Sequence, residues 1–334
     1  MGKCGNNSLL LYNSTGDDLC KSDYSKVTKW ISLLEMIGII SLNLAVIILL
    51  ARRDKQSRMT FFVQHLAVAD LCVGLLYVMP ECIFDRFLEH WEKHSCFIFY
   101  GYFTNLVINA STFLILVLTV DRLFVIVRPV SSYTTGKTYR YGLIISAWSV
   151  AVLIAIPYAM HITYYYSSKD GIDGYICRHN FGNGIYAVVV GEVFISIVIP
   201  VCVITVSYVW MIRIIWRREK ATNFMTLKQP RLSKGSANIN PQTIRVNQTT
   251  VISRAKKKTI KLLLVVIIVY ISSTAPLNIA QIMSVYDLIK PGSTIYKFLH
   301  VLAPVNSLMN PLVFLVFNKQ MFSQKRGLGN HTCT

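Results

Sequence analysis

The chain has 334 residues, of which 53% are hydrophobic and only 15% charged, where a soluble domain carries about 25% charge. A formal net charge of +18 would suit a nucleic-acid binder, but the basic residues are sorted by position along the chain, which argues against nucleic acid as a partner. No nucleophile–base set or metal-ligand spacing stands out, so the composition also points away from an enzyme.

Residues 1–29 are polar and hold two glycosylation acceptors, at Asn6 and Asn13. They carry no signal-peptide pattern, and the first apolar stretch is expected to act as its own insertion signal. Seven mostly apolar stretches follow, at 30–51, 61–84, 97–127, 141–164, 185–216, 259–285 and 294–317. Each is long enough to cross the hydrocarbon core as a helix, which takes about 20 residues. The charges fix the orientation. Arg52, Arg53, Lys55 and Arg58 follow the first stretch, and thirteen Lys and Arg fall between Arg213 and Lys261. Positive residues accumulate on the cytoplasmic side. The odd-numbered connections are therefore inside and the N-terminus outside, and the basic inner face suits anionic membrane lipid.

The expected organisation is an all-α membrane protein, a seven-transmembrane helix bundle. It has an extracellular tail at 1–29, a helical domain at 30–317 with a flexible cytoplasmic loop at 217–253, and a short amphipathic helix with a cytoplasmic tail at 318–334.

Ionisable residues inside a membrane helix are costly and usually face the bundle interior. Here they are Glu35, Asp70, Glu81, Asp121, Arg122 and Glu192. Asp70 needs a cation or donors such as Asn43, Ser111, Asn306 and Asn310. Asp121 and Arg122, at the inner end of the third stretch, can pair, and the guanidinium can bind main-chain carbonyls of a docking partner. Pro80, Pro157, Pro200, Pro276 and Pro311 each interrupt a stretch, and proline kinks a helix by removing a main-chain hydrogen bond. Cys72, Cys82 and Cys202 fall in helices as packing residues, while pairing of Cys4 with Cys20 in the outer tail stays open.

From Leu42 to Gln324 the chain resembles the rhodopsin-like (class A) G-protein-coupled receptors. The resemblance rests on Asn43, LAVAD ending at Asp70, Cys96, VDR at Val120 to Arg122, Trp148, Cys177, Pro200 with Tyr208, Pro276, and NSLMNP from Asn306 to Pro311. Within that family ADLCVGL, DRF at Asp85 to Phe87 and ASTFLILVLTVDR resemble the vasopressin/oxytocin, crustacean cardioactive peptide and neuropeptide S receptors.

The resemblance implies a plasma-membrane receptor with a Cys96–Cys177 bridge tying the second outer loop over the bundle. It implies that a ligand enters from outside and that the sixth helix swings outward around Pro276. Asp121 would then release Arg122 to a heterotrimeric G protein, with Tyr208 in support and Asn310 and Pro311 in the switch. It also implies a sodium site at Asp70, Ser111, Asn306 and Asn310, and no other cofactor.

Four positions depart from the family pattern. Leu123 replaces the Tyr after Asp-Arg, Thr274 the Trp two residues before Pro276, and Phe314 the Tyr of NPxxY. Lys256 stands where many members carry an acid that holds the Arg at rest, which predicts raised basal activity.

Thr104 and Pro304 occupy the positions of the amine-binding Asp and the opsin Lys, which argues against both ligand types. Gly101 and Thr104 also replace the Lys and Gln of vasopressin-type receptors, so a vasopressin-like peptide itself is not assigned. The candidate mouth is Glu81, Thr104, Asn105, Glu192, Asn278, Gln281, Tyr296 and His300, with Tyr100, Tyr102, Phe103 and Tyr286 around it. Such a polar, aromatic rim suits a peptide, and Glu81 and Glu192 suit a cationic one. The alternatives are a constitutively active or non-peptide receptor and, from another class, a channel or transporter, for which no internal repeat or pore-lining ring is visible.

Overall fold

The structure is a computed structural model that describes residues 14–53, 57–134, 136–169, 172–227, 264–290 and 293–317. All seven expected spans are present as helices long and apolar enough to cross a membrane. They are α1 (Ser14–Ala51), α2 (Arg58–Phe87), α3 (Lys93–Val127), α4 (Lys137–Met160), α5 (Gly182–Leu227), α6 (Leu264–Val285) and α7 (Thr294–Phe317). A six-residue helix, Pro129–Thr134, joins α3 to α4.

The boundaries differ from expectation in three places. The first helix begins at Ser14, inside the segment set apart as a tail, although its membrane-length apolar part starts at Lys26. The fifth helix runs on to Leu227, so the first part of the expected flexible loop is helical. The fourth helix ends at Met160, short of 164, because the run from Ile162 turns into a strand.

That strand, β1 (Ile162–Lys169), pairs antiparallel with β2 (Ile172–His179), with Tyr164 opposite Cys177. The sequence ITYYY is β-branched and aromatic, residues that fit a pleated surface better than a helix. The hairpin adds a short two-stranded sheet to the seven-helix bundle, an element the sequence reading did not include. The amphipathic helix at 318–334, Lys256, Asn6, Asn13 and Cys4 lie outside the described residues.

The prolines act unevenly. Pro80 sits between two π-helical stretches of α2, Gly74–Val78 and Glu81–Phe87. Matching stretches open α3 at Cys96–Phe103 and interrupt α5 at Phe194–Val198, just before Pro200. In α7 the helix breaks at Ala303 and Pro304, between Leu302 and Val305, while Pro311 lies inside the second piece. The break is therefore seven residues further out than the sequence reading put it.

Helix α3 is the hub, packed against α2, α4 and α5. One core cluster runs from Phe62 and Leu66 through Leu114 and Leu118 to Ile204, Met211, Tyr270 and Val313. In a bilayer the association of helices rests on packing rather than on apolar burial, so small residues set the close approaches. Ala147, Ala151 and Ala155, four apart on α4, are all buried. A Cβ on Gly74 would meet Ile39 and Ile40 side-chain atoms at 3.0 Å, which marks how tightly α1 and α2 pack. Trp30, Leu34, Ile37, Leu44 and Ile48 of α1 remain exposed on the outside of the bundle.

Candidate functional site

At the outer end a lid is stapled over the bundle. Cys96 and Cys177 form a disulfide, as the resemblance implied. Trp91, in the first outer loop, donates its amide to Tyr175 O at 2.9 Å and accepts the Tyr164 hydroxyl on its carbonyl at 3.1 Å. Its indole stacks on Phe84 at 5.1 Å and meets Tyr100 edge-on at 5.7 Å. At the other end of the hairpin, His179 stacks on Tyr100 at 5.0 Å and also contacts Tyr158 and Phe181. Burial in this aromatic cluster pushes the His179 imidazole down from 6.5 to about 4, with the field of His161 adding to it. The hairpin thus has two anchors besides the disulfide, and neither was visible in the sequence.

Below the lid the eight candidate mouth residues separate. Glu81 of α2 accepts from His300 of α7 at 3.0 Å and from Arg86 at 3.1 Å, and Tyr77 stands 3.4 Å from the same imidazole. Arg86, only 6% exposed, also lies 3.4 Å from Asp85. Tyr296 flanks His300, ring to ring at 6.5 Å. Helix α1 contributes Glu35, buried, with one carboxyl oxygen lacking a hydrogen-bond partner and within electrostatic reach of Glu81 and Arg86. The Glu81 charge is therefore already matched inside the protein, so a ligand cation there would share it with His300 and Arg86. Arg86 sat in the DRF motif without being read as its partner.

Glu192 of α5 accepts a long bond from the Gln281 amide, 3.4 Å, also bonds the Tyr158 hydroxyl, and lies within electrostatic reach of His300 and Tyr296. Asn278 is buried and structural. It donates to Thr274 O at 3.0 Å and accepts from Ser196 at 2.8 Å, joining α5 to α6, where Tyr270 also donates to Ser196 O. Its bond to Thr274 O engages a carbonyl two residues before Pro276. The Thr104 hydroxyl is taken up by Phe99 O at 2.9 Å, five residues back, as the π-helical winding allows. Asn105 is half-buried on the outer part of α3. Glu81, Glu192, Gln281, Tyr296 and His300 thus gather at the mouth, while Asn278 and Thr104 are engaged in bonds within the bundle.

Midway down, Asp70 is 0% exposed. Its Oδ1 accepts from Ser111 at 2.6 Å and Ser307 at 2.8 Å, and its Oδ2 accepts from Asn310 at 2.9 Å. Ser307 takes the place expected for Asn306, and Asn43 donates to Ile39 O and Ser307 O instead of to Asp70. The amide oxygens of Asn43, Asn306 and Asn310 are buried without hydrogen-bond partners, so oxygen acceptors gather around a fully buried carboxylate. That donor set is the chemistry a hard monovalent cation takes.

At the inner end, Asp121 is likewise 0% exposed and accepts from Arg122 on Oδ2 at 2.5 Å. A second guanidinium, from Arg58 at the start of α2, holds Oδ1 through Nε at 2.7 Å and its terminal nitrogen at 2.6 Å. From sequence, Arg58 reads only as a topology charge. Tyr208 packs half-buried against the core cluster, and no hydrogen bond joins it to Arg122 among the described residues. Phe314 is buried among Val46, Leu50, Val63 and Ala67, a setting with no call for the hydroxyl it lacks.

Residues 42–314 match the family described as 7 transmembrane receptor (rhodopsin family). The chain belongs to that family. It is 27% identical over 307 residues to the vasopressin V1b receptor of Mus musculus, covering 87% of this chain and 72% of that one. It is 26% identical to the mesotocin receptor of Rhinella marina, covering 93% and 79%, and 26% identical to the annetocin receptor of Eisenia fetida, covering 83% and 76%. The resemblance read from ADLCVGL, DRF and NSLMNP agrees with these names. Members of this receptor family are multi-pass proteins of the plasma membrane and not enzymes, and the seven apolar helices fit that placement.

Proposed function

We propose that this rhodopsin-family receptor binds an extracellular peptide and activates a heterotrimeric G protein. The observation that carries the reading is the acidic mouth. Glu81 with His300 on α2 and α7, and Glu192 with Gln281 on α5 and α6, spread two acidic patches over four helices at the end of the bundle where Cys96–Cys177 staples the hairpin. Two such patches suit a ligand long enough to touch both, and the receptors the chain is similar to are named for peptide hormones. A cationic group on the peptide would meet Glu192, whose described side-chain partners, Gln281 and Tyr158, are neutral, whereas Glu81 is already held by Arg86 and His300.

In the mechanism, ligand and G protein both favour the arrangement with Arg122 released from Asp121, so each strengthens the binding of the other. Asp70 with Ser111, Ser307 and Asn310 would hold a sodium ion in the resting state, the unpartnered Asn306 and Asn310 oxygens supporting that assignment. The ion would supply a positive charge to the buried carboxylate. The N-terminus is extracellular and the basic inner face lies against anionic lipid, following the charge asymmetry.

The test measures calcium and cyclic AMP in cells expressing the chain, with a library of cationic and amidated peptides. Wild type is compared with Glu192→Gln and Arg122→Ala at matched surface expression. A peptide response weakened by Glu192→Gln and abolished by Arg122→Ala supports the reading. A peptide response indifferent to Glu192→Gln removes the cationic anchor, and silence toward every peptide removes the peptide ligand.

A further inference from the structure

Asp121 faces two guanidinium groups although one would neutralise it. The second comes from Arg58, in the first turn of α2, where a cation stands against the positive end of the helix. Its partner and not its helix accounts for it there. It is held without help from Arg122. The Arg58 guanidinium lies 5.4 Å from the Phe124 ring and 5.6 Å from the Tyr139 ring, and those rings are themselves 5.5 Å apart. Phe124 lies on α3 and Tyr139 on α4, so the guanidinium is clamped where three helices meet.

Coupling, as read above, needs Arg122 to leave Asp121. A fully buried carboxylate stripped of its partner is strongly unfavourable. Arg58 occupies the other carboxylate oxygen, so it remains when Arg122 departs.

We propose that Arg58 is a positioning residue for coupling. It keeps the Asp121 carboxylate compensated while Arg122 swings out, and so lowers the free energy of releasing Arg122. This is the opposite of a lock. The Arg58 contact joins α2 to α3, two helices that Arg122 need not separate in order to extend. The inference rests on the coupling reading above.

The experiment measures ligand-free nucleotide exchange by the full chain in lipid nanodiscs, using purified Gs, Gi, Gq and G12 heterotrimers. Thermal unfolding of each variant verifies folding. Arg58→Gln is expected to slow exchange about fivefold or more, since the carboxylate then loses its remaining partner in the released state. Arg58→Lys, which keeps the charge but loses the two-nitrogen fork, restores part of the rate. Asp121→Asn removes the buried charge and speeds exchange, and Arg58→Gln added to it changes nothing further. A purely structural role would give the same loss with or without Asp121, and that result overturns the proposal. So does exchange by Arg58→Gln equal to or faster than wild type. Exchange unaffected by Arg122→Ala overturns the coupling reading and this inference with it, whereas ligand-free exchange absent from the wild type with all four G proteins overturns this inference alone, because a compensated Asp121 should let Arg122 release without ligand.

Discussion

The Glu81 carboxylate of α2 and the His300 imidazole of α7 meet at 3.0 Å, and the same carboxylate oxygen also accepts from the buried Arg86. One acid thereby joins two helices and balances a cation that is almost out of reach of water. Glu81→Gln should leave Arg86 with only the more exposed Asp85 at 3.4 Å and destabilise the receptor by about 2–3 kcal/mol. The double variant Glu81→Gln with Arg86→Met should recover most of that loss, because removing both charges leaves neither unpaired. Thermal unfolding of the two variants in detergent decides it; a double variant no better than the single one contradicts the pairing.

The lid rests on Trp91. Trp91→Ala removes the packing among Phe84, Tyr100 and the disulfide, worth about 3 kcal/mol for a buried tryptophan. It leaves the Tyr175 bond, which is main-chain. Gly174 is the complementary probe. A Cβ there would lie 2.9 Å from His90 Cβ and 3.2 Å from Glu89 O, so Gly174→Val must lift the hairpin off the first outer loop. Both variants should speed proteolysis or hydrogen exchange within 162–179 while leaving the inner half of the bundle protected. Uniform change along the chain would contradict a local lid.

Ser307 and Asn306 differ by one position but not in role. Ser307→Ala removes a hydroxyl from Asp70 and should cost about 1–2 kcal/mol. Asn306→Ala removes a side chain with no hydrogen bond to Asp70 and should cost less. Raising sodium at constant ionic strength should stabilise wild type, and Asp70→Asn should abolish that response. A sodium response that survives Asp70→Asn rejects the ion site.

The outer face should be sensitive to acid through His179. With its imidazole held at about 4 in the docked loop against an ordinary 6.5 when released, the released loop binds more protons between those values. Stability conferred by His179 packing is therefore full above about pH 6.5 and lost as pH falls toward 4. The loss is about 2 kcal/mol at pH 5. Comparing unfolding of wild type and His179→Phe between pH 5 and 7.5 isolates this contribution from that of the carboxylates. Parallel curves would show that His179 is not the titrating group.

The seven spans were legible because a membrane helix must be apolar for about 20 residues, a signal no loop imitates. The hairpin was not, because a strand of eight residues beside an apolar helix reads as its continuation until Ile162 finds His179 across the turn. Asp70 and Asp121 were legible as buried acids, but their partners were only half so. Ser111 and Asn310 follow from the family pattern. Ser307 depends on the turn at Ala303 and Pro304, which sets the rotation of the last helix piece. Arg58 reaches Asp121 across 63 residues of sequence, and its basic neighbours gave a sufficient topological reason for its charge. At the mouth, Asn278 and Thr104 looked available because a polar side chain in sequence does not reveal whether its own helix has already engaged it.

The π-helical winding of α2 from Gly74 to Val78 and from Glu81 to Phe87 changes how this receptor is to be compared with its relatives. Each wide turn holds an extra residue per hydrogen bond, so side chains fall progressively behind the angle that an α-helix would give them. A relative wound as a plain α-helix there would point a different aligned position at the same spot in the mouth. Selectivity for ligand can then shift between two receptors whose aligned residues are identical, through the pitch of the backbone alone. In the outer half of this bundle, alignment columns and spatial positions are separate coordinates.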